Sequence, residues 1–179
     1  MYYLVNEWSL DDERLRKDLE QIGLPIQSLQ LENILDSIFF NQKVDSPLHM
    51  TSLPLPSFWE VCANGDIVSD GMKRGKIDCF QDRPQRVKKV DWYDPDGHCS
   101  VSDHYDRSGS LFLKEVWSAD ERHLSIYTND RMGKLYLFHQ HDRAIYQAID
   151  GLEQGFSSIE DAKKALLQEA LLQAETDFL

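Results

Sequence analysis

A chain of 179 residues, 41% hydrophobic and 28% charged, reads as globular and makes one domain of ordinary size or two small ones. Its formal net charge of −12 argues against nucleic acid or an anionic membrane surface as a direct partner, because both need a basic footprint. No apolar run is long enough to cross a bilayer, and no basic start with an apolar core marks a signal peptide. Three cysteines, Cys62, Cys79 and Cys99, fit a reducing, cytoplasmic compartment without a disulfide framework.

Tyr2 to Val5 reads as a buried strand. Ser9 is an expected N-cap, with Asp11, Asp12 and Glu13 in the first turn, where the helix dipole favours acids. Leu15, Leu19 and Ile22 give that helix one apolar face; Gly23 and Pro25 end it. Ile26 to Leu31 completes a strand–helix–strand unit. Leu31, Ile34, Leu35, Ile38 and Phe39 then recur at helical spacing. The first strand–helix turn, Asn6-Glu7-Trp8-Ser9, lacks the glycine-rich dinucleotide fingerprint. Residues 41–57 are polar and carry Pro47, Pro54 and Pro56, so a linker running extended over a surface is expected. Ala63-Asn64-Gly65-Asp66 predicts a turn joining strands at 58–62 and 67–69. A further strand is predicted at 76–80, with Arg83-Pro84 breaking it.

From Arg86 to Phe138 the chain repeats every twelve residues. Asp94-Pro95-Asp96-Gly97 is followed by Asp106-Arg107-Ser108-Gly109, Ser118-Ala119-Asp120-Glu121 and Asp130-Arg131-Met132-Gly133. Each block is turn chemistry: aspartate bonds its own backbone, proline pre-sets φ, and glycine supplies positive φ. Between blocks lie strand-length runs rich in Val, Leu, Ile and aromatics. The expected result is an antiparallel meander, mostly one layer thick, projecting from a body. On the strand at 98–105, His98, Ser100, Ser102 and His104 share a polar face predicted to meet water or a partner. Ser157-Ser158-Ile159-Glu160 predicts a capping box, and Ile159, Ala162, Leu166, Ala170 and Gln173 trace a stripe on the terminal helix.

No nucleophile constellation emerges, and no cofactor is expected. Asp91, Asp94, Asp96, Asp103 and Asp106 resemble a carboxylate cluster, but turn chemistry and solvated strand ends account for them better. His139 and His141 have metal-like spacing on an expected strand, yet no third ligand is near, so no metal site is predicted. Lys73-Arg74 and Lys88-Lys89 read as solvated residues that discourage sheet aggregation. Trp92, Tyr93, Tyr105 and Trp117 cluster at strand ends. Cross-strand packing explains most such residues; the sharper reading makes them contacts for an extended acceptor polypeptide or its sugars, and an extended chain can add to a sheet edge.

Three runs carry a resemblance: Leu53-Pro54-Leu55-Pro56-Ser57-Phe58-Trp59-Glu60-Val61, Arg86-Val87-Lys88-Lys89-Val90-Asp91-Trp92-Tyr93-Asp94, and Val101-Ser102-Asp103-His104-Tyr105-Asp106-Arg107-Ser108-Gly109. Together they resemble the GtfB family of glycosylation-stabilising subunits, over about residues 50–140. Members partner the glycosyltransferase GtfA in bacterial accessory Sec systems that modify serine-rich repeat adhesins. The resemblance implies an α+β architecture: an extended β-sheet domain at 51–145 inserted in a partial Rossmann-like body of the GT-B type. Residues 1–50 would start that body and a helix within 146–179 would return to it. It also implies a chain shorter than a complete member. The implied role is non-catalytic. Such a subunit binds the unfolded serine-rich acceptor and activates the partner that adds N-acetylglucosamine, with peripheral association at the cell membrane left open. The alternatives are a fragment of a catalytic GT-B glycosyltransferase and a purely structural subunit interface.

Overall fold

The computed structural model describes Leu35, Phe39, residues 47–81 and residues 83–176. Leu35 and Phe39 are helical and fully buried, as the spacing of their run predicts. The strand–helix–strand unit predicted before them lies outside the described residues. Two compact units divide the chain, and the whole sheet belongs to the one running from Phe39 to Ala162.

That unit is a ten-stranded antiparallel sheet in which every strand pairs with its sequence neighbour. The first hairpin joins β1 (Glu60–Val61) to β2 (Asp66–Ser69), and β3 (Met72–Phe80) follows. The long β4 (Arg83–Tyr93) leads into β5 (Cys99–Tyr105), β6 (Leu111–Ser118), β7 (Glu121–Asn129) and β8 (Gly133–Phe138). The sheet runs on past residue 145 through β9 (Arg143–Ala148) and β10 (Glu153–Phe156), and then α1 (Ile159–Thr176) begins. Among the described residues no helix is long and apolar enough to cross a membrane.

Turn chemistry explains the beat. The carboxylates of Asp94 and Asp106 each accept two main-chain N–H bonds within their own turns, at 2.9–3.0 Å. Gly97 and Gly109 then close the turns at φ of +89° and +87°. Ala119 and Asp120 both adopt positive φ, which makes their two-residue turn twist with the strands it joins. In the fourth block the capping side chain is Asn129, one residue earlier than the repeat suggests; its Oδ1 accepts from Arg131 and Met132. A fifth turn, closed by Gly151 at +85°, makes the β9–β10 hairpin.

Three expectations need correction. Arg83-Pro84 does not break a strand but lies inside β4, where the register slips between the pairs Cys79–Val87 and Phe80–Arg83. A bulge is where a strand tolerates a residue without an N–H. The proline-rich segment is no bare linker. Val87 donates to the Leu48 carbonyl at 2.9 Å, and His49 bridges to Arg86. Leu53 enters a core with Ile67, Ile77, Val87 and Val90, so the sheet is covered on that face. At the helix, Ser158 rather than Ser157 is the cap: its Oγ accepts from the Asp161 N–H at 3.0 Å, while Ser157 Oγ donates to the Asp161 carboxylate.

Candidate functional site

Strand alternation sorts side chains onto two faces. The pairing registers align Asp91, Ser102, Glu115 and Ser125 in one row across β4–β7, which continues as Leu137 and Ala144 in β8 and β9. We refer to this as the first face. Its far half is apolar: Leu113, Tyr127, Leu135 and Leu137 are buried, and the Phe39 ring lies 5.4 Å from that of Tyr127. The adjoining row on the second face runs Ile77, Val90, Asp103, Lys114, Ile126 and Tyr136, and onward to Ile145.

The polar half of the first face is a buried lattice, not the solvated surface expected of 98–105. Ser102 is 3% exposed and donates to Asp91 Oδ1 at 2.5 Å while accepting from Trp117 Nε1 at 3.2 Å. Lys89 pairs with Asp91 at 2.8 Å. Burial depresses its ammonium, but the Asp91 carboxylate outweighs this and leaves the group raised. Glu115, 6% exposed, meets His104 Nε2 at 2.9 Å and Arg122 at 3.0 Å. Burial pushes its carboxyl up, and the His104 bond with the Arg122 charge overcomes that, so the group sits below its ordinary range. Buried carboxylates survive only when paired in this way.

The four predicted aromatics divide two and two. Trp117 lies on the first face under the Arg122 guanidinium, 5.2 Å from its ring centre. Tyr93 shares that face, with the Lys73 ammonium 5.4 Å from its ring centre. Lys73 is itself paired with Asp66 at 2.9 Å, and that bond holds the Asp66 carboxyl at about 2. Trp92 points to the second face, donates Nε1 to Asp103 at 2.8 Å and lies 6.2 Å from Trp59. Tyr105 packs against the same core, and burial raises its hydroxyl to about 12.

Lys114 and His139 are engaged as well. Lys114 closes on Asp103 at 2.5 Å. His139 and His141 lie in a 3-10 turn rather than on a strand, and His139 Nε2 is 2.8 Å from Ser125 Oγ. That serine is 2% exposed, so a substrate cannot reach it. Burial raises the thiols of Cys79 and Cys99, which makes both poor nucleophiles. Among the described residues no group of three His, Cys, Asp or Glu is arranged to hold a metal. Glu115 and Arg122 were not singled out by sequence reasoning, and Lys89, read there as a solvated residue, is instead the ion-pair partner of Asp91. The available signal was the turn position, which fixes which residues face each other across a hairpin.

A family model described as the GtfB middle domain matches residues 59–155, the span of the sheet itself. A relative from Streptococcus parasanguinis is 31% identical over 144 residues, covering 72% of this chain and 32% of the relative. One from Streptococcus pneumoniae serotype 4 is 29% identical over 158 residues, covering 79% and 35%. Both are named UDP-N-acetylglucosamine--peptide N-acetylglucosaminyltransferase stabilizing protein GtfB. The chain thus spans about a third of their length. Among solved structures, a GtfA/B complex bound to UDP and GlcNAc matches with a TM-score of 0.67 at 21% identity, over 97% of this chain and 41% of that one. Accessory secretory protein 1, 2 and 3 of Streptococcus pneumoniae matches at 0.57 and 12%, over 88% and 33%. At these identities the structural likeness shows the fold alone.

Proposed function

The chain belongs to the GtfB middle-domain family, and from that premise we propose that it serves a non-catalytic subunit that holds an extended acceptor polypeptide and steadies a glycosyltransferase. The partner is a GtfA-like enzyme that transfers N-acetylglucosamine to serine or threonine of serine-rich acceptors in an accessory Sec system. The observation that carries this reading is the pairing of the sheet's ionisable groups. Asp91, Asp103 and Glu115 are each engaged by a cation or a serine, which suits a rigid platform and leaves none poised as acid, base or nucleophile. The names of the curated relatives support the stabilising role.

In this reading Tyr93 and Trp117 contact the acceptor on the first face, while Trp92 and Tyr105 support the sheet from behind. Residues 1–50 begin a Rossmann-like body to which the helix within 146–179 returns, and the complex works in the cytoplasm.

Titration of the chain with a fluorescent serine-rich peptide, bare or carrying N-acetylglucosamine, tests the proposal. Saturable binding is expected. Its absence at high micromolar peptide, or hydrolysis of UDP-N-acetylglucosamine by this chain alone, would overturn it.

A further inference from the structure

Among the described residues the sheet ends on β10, which pairs only with β9. The phase of that pairing is set at the turn, where Ala148 donates to the Leu152 carbonyl at 2.9 Å. In an antiparallel ladder, hydrogen-bonded pairs alternate with unbonded ones. Tyr146 with Gln154 and Ala144 with Phe156 are therefore bonded pairs. The N–H and C=O groups of Glu153 and Gly155 face the free edge instead. Unpaired edge groups are a template for another strand unless charge, proline or a bulge guards them; β10 has no proline, lysine or bulge, and its single charge, Glu153, sits at one end.

Gly155 is the second observation. Its φ is not in the left-handed region, and a Cβ built on it meets nothing within 4 Å. Gly133, by contrast, has a φ of +111° and backbone atoms pressed against it. Nothing within the described chain requires glycine at 155, and a glycine in a strand often marks the close approach of another backbone. The missing side chain also opens the flank of its partner Ile145, which is 39% exposed. Ile145, Phe138, Arg143 and Phe156 line an open groove of about 740 Å³ there. Glu153 marks one end of the edge, and Arg143 lies beside the other, near Ser157.

We propose that the free edge of β10 is a strand-addition site for an extended polypeptide that pairs antiparallel with it and reads acidic-x-apolar-x-basic from its N-terminus. Antiparallel pairing brings the acidic residue beside Arg143, seats the apolar one opposite Gly155 against Ile145, and sets the basic one opposite Glu153. Main-chain bonds supply affinity, and the alternate side chains supply selectivity. This deepens the reading that the chain holds an extended acceptor, and assigns that acceptor a place four strands from Trp117, roughly 20 Å away at ~4.8 Å per strand.

The probe is an end-capped, dye-labelled Ser-Glu-Ser-Val-Ser-Lys-Ser peptide, titrated by fluorescence anisotropy into the full chain at low salt. Gly155→Pro removes an outward N–H that the internal ladder does not use, and Gly155→Val fills the groove. Each is expected to weaken binding at least tenfold with unchanged circular dichroism and melting temperature. A peptide with Glu and Lys exchanged is expected to bind several-fold more weakly, and Arg143→Glu to abolish that preference. Peptide binding that both Gly155 variants leave intact would overturn the edge assignment while the acceptor reading stands. No binding of any serine-rich peptide would remove both. Concentration-dependent dimerisation lost in Gly155→Pro, with no peptide effect, would give the edge to a second copy of this chain and overturn the proposal.

Discussion

Glu115 carries the tightest electrostatic arrangement on the sheet, a buried carboxylate between His104 and Arg122. Its folded pKa is lowered, so the stability it contributes is present above its unfolded pKa and is lost as pH falls through the folded value. Glu115→Gln is expected to cost about 1–3 kcal/mol at pH 7, the usual penalty for unsatisfying a buried polar partner. Urea unfolding at pH 7 and pH 3 checks this: the gap between variant and parent should narrow at the lower pH. Tyr105 behaves in the opposite sense. Its hydroxyl is raised to about 12, chiefly by burial, with the Asp103 charge adding to it. The stability it contributes is complete below its unfolded pKa near 10 and disappears as pH rises through 12. Ultraviolet titration of the phenolates should lose one late-ionising component in Tyr105→Phe.

Among the elements, the turns differ in how much they depend on their residues. A Cβ at Gly133 would approach the Gln147 carbonyl oxygen to 2.1 Å, at a φ of +111°. Gly133→Ala is therefore expected to destabilise by about 3 kcal/mol, from strain and displaced backbone together. Gly97 also has positive φ but open space around it, so Gly97→Ala should cost only about 1–2 kcal/mol. Thermal unfolding of the two variants side by side tests the difference. The α1 cap makes a third case. Ser158→Ala removes the acceptor for the Asp161 N–H and should cost about 1 kcal/mol, whereas Ser157→Ala leaves that bond in place.

At the scale of the sheet, protection should follow position. Inside the sheet, β7 and β8 have neighbours on both sides and bury Tyr127, Leu135 and Leu137. Among the described residues the two-residue β1 and the four-residue β10 have one neighbour each. Amide hydrogen exchange should be slowest in β7 and β8 and fastest at the two edges, because local opening exposes the least apolar surface there. Slower exchange at β10 alone when peptide is added would mark that edge as the one in use.

The meander itself was legible from the bare chain, because turn chemistry is local: aspartate, asparagine and glycine act on their own few residues, and their spacing sets strand length. So was the helix start near Ser158, although its exact residue depended on which side chain reached which N–H. What covers each face was not legible. Leu53 joins a core whose other members lie fourteen to thirty-seven residues away, and no local pattern in a proline-rich run announces that contact. The division of Trp92 and Tyr105 from Tyr93 and Trp117 was likewise decided in three dimensions. The registers slip between Trp92 and Tyr93 and again between His104 and Tyr105, and a one-residue slip moves every later side chain to the opposite face. The polar row was visible as composition, but it became a buried lattice only when four strands brought its acids against their cations.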